Sequence, residues 1–336
     1  MVRLFKGKTP EIIGSNKKKK ANSIATLEQI QLGGLDQWIL IRGHNVDNPL
    51  LLFLHGGPGS PEMAAAHKFD RNLEQYFTIV NWDQRGGGKS FSRKISKESM
   101  KVDQFLSDAH ELIQYLLKRF NKEKIVLVGH SWGSYLGILL VRKYPELFSV
   151  YVGIGQVINI KENERLSHQY TLEEAKKRGN KKAVKQLTKL EPPYDNNLKQ
   201  LNKQRKWLNK FGGALHNQTS IWPLVKIMLK APEYTIKDIF KYLRGSSFSL
   251  QSLWTEYVDC SDVVSIASRL SVPIYLFAGR YDYNTPFVLV EDFYRKLQAP
   301  KKEFIWFEHS AHSPNFEERE KFDEIMIKNI LKECNK

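Results

Sequence analysis

The sequence lacks long hydrophobic runs and has almost no cysteine. Nowhere in its 336 residues is there an apolar stretch of the roughly 18 residues that a membrane-spanning helix needs. The N-terminus is basic but has no apolar segment of the kind that directs secretion, so we expect a cytoplasmic protein with no membrane span. The two cysteines, Cys260 and Cys334, are far apart in the chain, and we expect two unpaired thiols in a reducing compartment.

Acidic residues are also scarce, since 36 Asp and Glu stand against 52 Lys and Arg and give a formal net charge of +16. The basic excess lies mostly in two segments. Residues 1–24 carry seven basic residues and one acidic residue, and residues 155–265 carry 19 basic and 11 acidic residues. No nucleic-acid-binding motif accompanies either segment. We therefore expect a solvated basic surface, with residues 1–25 as a mobile basic tail, and no nucleic-acid partner.

The chain is rich in short buried-strand patterns that alternate with amphipathic helices. The first two strand patterns flank Gly33-Gly34 and predict an antiparallel hairpin. The later ones are separated by helical patterns, which indicates parallel strands with right-handed crossovers. We predict a mainly parallel eight-stranded sheet with flanking helices, with strands at residues 26–32, 37–42, 50–54, 76–82, 125–128, 150–154, 272–278 and 303–307.

The strand pattern is interrupted by a long basic segment, residues 156–265, which contains no strong strand signal. Its helix candidates are residues 172–190, 198–208 and 234–242, and glycine-containing loops are expected at residues 211–213 and 245–247. We predict that this segment is a helical cap inserted into a core made of residues 26–155 and 266–336.

One turn carries the chemistry of the chain. Gly129-His130-Ser131-Trp132-Gly133 follows a buried strand directly and precedes a helical pattern, which is the context of a nucleophile elbow. The two glycines allow the strand and the helix to approach each other closely around a strained Ser131. The helix N-terminus beneath the turn favours developing negative charge. Ser131 is therefore the candidate nucleophile.

A serine hydroxyl needs a base and an acid, and both follow later strands. Asp282 comes after the strand at 272–278, and His312 comes after the strand at 303–307, so both fall at the same edge of the sheet as Ser131. We predict that His312 is the general base and that Asp282 orients it. Considered alone, Asp282 is equally typical of a turn, and His312 is equally typical of the residues that precede a helix. His309 is a rival base; it also forms an H-x-x-H pair with His312, but no third metal ligand is evident, and we expect no metal or cofactor.

Two backbone N–H groups are predicted to form the oxyanion hole. One belongs to Trp132, the residue after the nucleophile, and the other to Gly57 in the glycine loop after the strand at 50–54. The loop at residues 83–90 is expected to be a scaffold in which Arg85 forms an ion pair.

Four motifs together resemble those of the proline iminopeptidase group of α/β-hydrolases, peptidase family S33. They are His55-Gly56-Gly57-Pro58-Gly59, Asp83-Gln84-Arg85-Gly86-Gly87-Gly88-Lys89-Ser90, Gly129-His130-Ser131-Trp132-Gly133 and Gly279-Arg280-Tyr281-Asp282. The resemblance covers the predicted core. It implies the α/β-hydrolase fold with a helical cap, and a serine hydrolase that releases N-terminal residues, often proline, from short peptides. It assigns catalysis to Ser131, Asp282 and His312, with Gly57 and Trp132 for the oxyanion.

The chain departs from that group at two places. His130 occupies an elbow position where proline iminopeptidases usually have glycine. The group binds the substrate α-amino group through cap glutamates, one of them in a Trp-rich stretch that ends in Trp-Glu, and the corresponding stretch here is only Leu253-Trp254-Thr255-Glu256. Glu256 is therefore either an amine anchor or a solvated helix residue.

The sequence leaves three functions open. The first is an aminopeptidase of the proline iminopeptidase type, and the second is a carboxylesterase or another acyl hydrolase of small molecules. The third is a ligand-binding protein on a hydrolase scaffold. Haloalkane dehalogenases and epoxide hydrolases are disfavoured because they use Asp where this chain has Ser131.

Overall fold

The computed structural model describes residues 7–194, 197–216, 222–260 and 262–334, except for the side chain of Cys260. Within these ranges, eight strands form one sheet in the order β1-β2-β4-β3-β5-β6-β7-β8. The strands are β1 Ile24–Leu32, β2 Leu35–Gly43, β3 Leu50–Leu54, β4 Thr78–Asp83, β5 Ile125–His130, β6 Phe148–Ile154, β7 Ile274–Gly279 and β8 Lys302–Phe307.

The sheet is antiparallel at one edge and parallel everywhere else. β1 and β2 form the predicted hairpin, and β2 pairs with β4 in antiparallel fashion. From β4 to β8 every neighbouring pair is parallel. The prediction of a mainly parallel eight-stranded sheet is confirmed, and the carboxyl ends of β3, β5, β7 and β8 share one edge, as parallel pairing requires.

Helices cover both faces of the sheet, which explains the continuous apolar pattern of its central strands. In β5, Ile125 and Leu127 point to one apolar cluster, while Val126 and Val128 point to another on the opposite face. The helices are α1 Met63–Phe69, α2 Val102–Phe120, α3 Trp132–Lys143, α4 Ile160–Lys177, α5 Lys181–Leu187, α6 Leu198–Lys210, α7 Trp222–Lys230, α8 Ile236–Cys260, α9 Val263–Ile266, α10 Phe287–Lys296, α11 Pro314–Glu317, α12 Arg319–Ile325 and α13 Leu331–Glu333. None of these helices combines the length and apolar character that crossing a bilayer requires.

The segment between β6 and β7 holds α4 to α9, and its described residues include no strand of the sheet. Two local predictions there are wrong. The helix expected at residues 172–190 is divided between α4 and α5 by a turn at residues 178–180. Residues 245–247, expected to be a loop, lie inside the 25-residue helix α8. Gly245 does not end the helix but allows close contact with another backbone segment, because a Cβ on Gly245 would lie 2.6 Å from the carbonyl oxygen of Gly86. A helical segment therefore packs directly on the loop at residues 83–90.

Within the described residues 7–25, part of the segment that we expected to be a mobile tail makes fixed contacts. Ile12 is buried, and the Arg42 guanidinium donates to Thr9 Oγ1 and to the Pro10 carbonyl, both at 2.6 Å. The lysines at residues 17–20 are exposed, as expected for a solvated basic run. At the other end of the chain, Cys334 is an unpaired thiol. The division into tail, core and cap stays a prediction.

Candidate active site

Ser131 stands on a strained turn between β5 and α3. Its backbone has φ 54° and ψ −118°, a positive φ that a non-glycine residue adopts only when the surrounding structure imposes it. The restraint is visible in two hydrogen bonds. The Ser131 N–H donates to the Ile154 carbonyl at 2.9 Å, and the Ser131 carbonyl accepts from the Ser134 N–H at 2.8 Å. The side chain is thereby held at the carboxyl edge of the sheet.

His312 and Asp282 are brought together from loops after β8 and β7. His312 Nδ1 donates to Asp282 Oδ2 at 2.9 Å, and both side chains are buried. Asp282 also accepts from the N–H groups of Asn284 and Thr285, at 2.9 and 2.8 Å. The Thr285 hydroxyl donates to Asp282 Oδ2 at 2.7 Å and lies 3.1 Å from His312 Nδ1. The carboxylate is therefore fixed by several donors, and its orientation fixes the imidazole.

The two predicted oxyanion residues are Trp132, which follows Ser131 in the chain, and Gly57, which lies in the glycine loop after β3. Trp132 is the first residue of α3, so its N–H is one of the helix donors without an intrahelical acceptor. Gly57 lines the same cavity as Ser131. The glycine loop is tied to the loop at residues 83–90 by His55, whose Nε2 accepts from the Gln84 N–H at 3.2 Å. Burial lowers the pKa of His55 to about 4, so this histidine is neutral and able to accept.

The structure adds a buried ion pair beside Ser131. His130 Nδ1 lies 2.6 Å from Glu62 Oε1, and His130 Nε2 lies 2.9 Å from the carbonyl oxygen of His312. Burial by itself lowers the pKa of His130, but the Glu62 carboxylate outweighs it and the pKa is raised. Burial likewise raises the pKa of Glu62, but the charge of His130 outweighs that effect and the pKa is lowered. Both partners are therefore stabilised in their charged forms.

A cavity of about 510 Å³ opens onto Ser131 and His312, a volume typical of small-ligand sites. Its walls come from the edge of the sheet and from α4, α6 and α8. On the α4 side, Glu164 is fully buried and its Oε1 accepts from Arg205. Its Oε2 has no hydrogen-bond partner among the described residues. The cavity is therefore lined by the serine, the histidine and a buried carboxylate on α4.

Two sequence-predicted candidates lie outside this cavity. The Glu256 carboxylate accepts from the Val102 N–H, at 3.2 and 3.3 Å, at the start of α2, and Glu256 is absent from the cavity lining. The position of Glu256 does not support a role as an amine anchor. Its carboxylate instead lies at the N-terminus of α2. His309 is exposed and its N–H donates to Glu318. No group of three or more His, Cys, Asp or Glu side chains within the described ranges is arranged to hold a metal ion.

Sequence reasoning missed Glu62, Thr285 and Glu164. A polar residue three positions after Asp282 is a recognisable turn signal, because Asp side chains accept from backbone N–H groups two or three residues ahead. No comparable signal marks Glu62 or Glu164. Each is an ordinary acidic residue in the sequence, and its burial results from contacts with residues more than 40 positions away.

The sheet order, the serine on a strand-to-helix turn, and the acid and histidine after the last two strands define an α/β-hydrolase. Comparison with known proteins then identifies the family. The family described as "Serine aminopeptidase, S33" matches residues 48–319. The chain belongs to this family and is a serine hydrolase.

Relatives and solved structures agree with that assignment. The chain is 36% identical over 300 residues to "Probable aminopeptidase YbaC" of Bacillus subtilis (strain 168), covering 88% of this chain and 93% of the relative. It is 24% identical to "Proline iminopeptidase" of Heyndrickxia coagulans, covering 81% and 87%. The crystal structure of proline iminopeptidase from Mycobacterium smegmatis superimposes with a TM-score of 0.63 at 14% identity, covering 92% of this chain and 99% of that one, and shows a shared fold.

Proposed function

We propose that this protein is an aminopeptidase that releases the N-terminal residue of short peptides through an acyl-enzyme on Ser131. One observation carries the proposal. The cavity that reaches Ser131 and His312 also contains a buried carboxylate, Glu164, with one oxygen lacking a partner in the described part of the chain. A buried unpaired carboxylate oxygen is costly, and a substrate ammonium group would supply the missing donor once the covered carboxylate turns toward the cavity.

The proposed mechanism assigns one role to each side chain. The Ser131 hydroxyl attacks the carbonyl carbon of the N-terminal residue, and His312 takes the hydroxyl proton. His312 then gives that proton to the leaving amine as the scissile C–N bond breaks, and Asp282 stabilises the imidazolium in between. Water, deprotonated by His312, attacks the acyl-enzyme, and the serine recovers its proton. The N–H groups of Gly57 and Trp132 bind the oxyanion, each worth about 3 kcal/mol in comparable sites.

Glu164 replaces Glu256 as the proposed amine anchor. It lies on α4 in the wall of the cavity, whereas Glu256 supports the start of α2. The resemblance to proline iminopeptidases, and relatives named as an aminopeptidase and a proline iminopeptidase, favour an N-terminal residue, often proline, as the group released.

Carboxylesterase activity is the second candidate, and Arg205 favours it. Because the guanidinium pairs with Glu164, the cap wall of the cavity carries a compensated charge and suits a neutral acyl group as well as a cation. The two functions share the chemistry at Ser131 and differ only in what the cavity selects.

A panel of substrates tests both candidates. Prolyl and alanyl arylamides, their N-acetylated forms and short-chain p-nitrophenyl esters are to be compared for the wild type and Ser131→Ala. We expect turnover of the free-amine arylamides, little turnover of the acetylated forms, and none by Ser131→Ala. Ester cleavage without any arylamide turnover would overturn the aminopeptidase proposal, and full activity in Ser131→Ala would overturn both candidates.

The role of Glu164 has its own readout in the same panel. Glu164→Gln removes the charge that binds the ammonium, so KM for free-amine arylamides should rise about 10- to 100-fold while ester hydrolysis stays within about threefold. Glu162→Gln, on the exposed side of the same helix, is the matched control and should leave both unchanged. Equal losses on amides and esters in Glu164→Gln would show a structural role instead.

The choice of base is tested by two alanine variants. His312→Ala should abolish labelling of Ser131 by a fluorophosphonate, while His309→Ala should label at the wild-type rate. The reverse result would make His309 the base.

A further inference from the structure

The His130 side chain joins Glu62 to the backbone of the proposed general base. Its two ring nitrogens are 2.6 Å from a Glu62 carboxylate oxygen and 2.9 Å from the His312 carbonyl oxygen. Only 6% of His130 is exposed, so water competes little for either contact. The rings of His130 and His312 lie with their centres 5.0 Å apart. An elbow residue that would otherwise serve as packing is thus in direct contact with the loop after β8.

Both acceptors determine the protonation of this ring. A carboxylate and a backbone carbonyl can only accept, so both nitrogens of His130 must carry a proton to make the two hydrogen bonds. The carboxylate of Glu62 is itself held as an anion, since it also accepts from the Gly56 N–H at 3.4 Å and from Asn315 Nδ2 at 3.3 Å. The raised pKa of His130 agrees with the geometry.

The backbone of His312 is held from both sides. Its N–H donates to the Ala214 carbonyl, at 3.1 Å, and its carbonyl accepts from His130. The side chain is oriented separately by Asp282. Loss of the His130 contact would free one side of a loop whose placement decides whether the imidazole reaches Ser131.

We propose that the Glu62–His130 ion pair is a positioning element for His312, in which a doubly protonated His130 clamps the carbonyl group of the base. The inference rests on the proposed function, because it assumes that His312 is the general base. His130 and Glu62 touch no reacting atom in this scheme, and they act through the backbone of His312.

The clamp should open at high pH. The charged or titratable groups that face His130 are Glu62, His55, Asp282 and His312. When His130 loses one proton, the remaining proton stays at Nδ1 on the Glu62 side, because a carboxylate is the stronger acceptor. Nε2 then presents a lone pair to the His312 carbonyl, and the two repel. Reactivity of Ser131 therefore falls as the pH rises through the raised pKa of His130.

Two variants separate the hydrogen bond from the charge. His130→Phe keeps an aromatic ring but has no donor, so the rate at which a neutral fluorophosphonate labels Ser131 should fall about 10- to 100-fold at every pH. In Glu62→Gln the amide donates to Nδ1, and a neutral His130 keeps its proton at Nε2 and still donates to His312. This variant should label within about threefold of the wild-type rate at pH 7 and lose the decline at high pH. The uncharged probe excludes titration of a substrate amine.

A second measurement does not depend on activity. In protein labelled with 15N-histidine, the His130 signals, assigned by their loss in His130→Phe, should show two protonated nitrogens at pH 7. The control is His309→Gln, which replaces an exposed histidine on the loop after β8. This variant should change neither the labelling rate nor the His130 signals. Circular dichroism melts establish that each variant is folded.

The outcomes distinguish this inference from the proposed function. Wild-type labelling rates in folded His130→Phe, or a His130 ring with one unprotonated nitrogen at pH 7, would overturn the clamp. Loss of labelling in His309→Gln with normal labelling in His130→Phe would overturn both the clamp and the assignment of His312. An inert wild type would overturn the proposed function, and the nitrogen signals would still decide whether the ion pair exists.

Discussion

At the scale of single residues, the site depends on how closely backbones approach around the elbow. Gly133 lies in the first turn of α3, directly against the end of β3. A Cβ at this position would lie 2.0 Å from the Leu54 carbonyl oxygen and 2.5 Å from its carbon. Both are backbone atoms and cannot turn aside as a flexible side chain would. The second glycine of the G-x-S-x-G pattern is therefore required by contact between a helix and a strand.

We predict that Gly133→Ala destabilises the protein by about 1–3 kcal/mol, because α3 and β3 must separate to admit a methyl group. Urea unfolding followed by circular dichroism measures the change. Gly14→Ala is the control: its new Cβ would lie 3.3 Å from a flexible side-chain atom, Asn16 Oδ1, and at an ordinary contact distance of 3.7 Å from the Lys18 carbonyl oxygen. Equal unfolding midpoints for the two variants would contradict the packing argument.

At the scale of helices and strands, the contacts of α8 explain two departures from the predicted pattern. The helix continues through Gly245 because a backbone carbonyl packs against it at that point. Further along the same helix, Glu256 reaches the start of α2, where the residue before the first helical position, Lys101, makes no side-chain capping bond. A carboxylate from α8 thus accepts from the N-terminus of α2, which is the end of a helix that favours negative charge.

This assignment predicts that Glu256→Ala lowers the free energy of unfolding by about 1 kcal/mol and leaves kcat/KM for arylamides within twofold. Glu256→Gln keeps an acceptor and should lose less stability than the alanine variant. Chemical unfolding and steady-state kinetics on the same samples provide both numbers. A large rise in KM with unchanged stability would restore Glu256 as the amine anchor.

At the scale of the whole molecule, three carboxyl groups make the stability of the fold depend on pH. Burial raises the pKa of Asp70 to about 6, and it raises those of Asp83 and Glu317 to about 7. A carboxyl whose pKa is raised in the folded state binds more protons there than in the unfolded chain. Its contribution to stability is complete below the unfolded value and is lost as the pH rises through the folded value.

We expect these groups to make the protein less stable as the pH rises from about 4 to about 7. Asp83 is the clearest case, because its Oδ2 accepts from Tyr234, between α7 and α8, while its Oδ1 has no partner among the described residues. In Asp83→Asn the decline over that range should be smaller than in the wild type. Thermal melts at intervals of half a pH unit measure it, and Asp292→Asn, at an exposed ion pair, should follow the wild type. Parallel curves for Asp83→Asn and the wild type would refute the prediction.

Most of the sheet was predictable because a strand or helix pattern is local. Neighbouring residues produce the alternation of polar and apolar side chains in β1 and β2 and the apolar runs of β3 to β7. The strands of the structure agree with these patterns within a few positions. The long helix α8 was not predictable through residues 245–247, because Gly245 is a helix breaker by itself and a contact residue only beside Gly86. Arg85 illustrates the intermediate case: an ion pair was expected, but its buried partner, Asp108, is 23 positions away.

The sequence alone determined the fold class and the order of the candidate nucleophile, acid and base. Each of these residues follows a strand, and the alternation of strand and helix patterns along the chain predicts that these strands are parallel. Tertiary structure decided the surroundings of those residues. Glu62 meets His130 across 68 positions, and Glu164 meets Arg205 across 41 positions. Such pairs produce no periodic pattern in the sequence. The charge of a side chain acts through space, and its burial depends on helices and strands that pack against it only after the chain has folded.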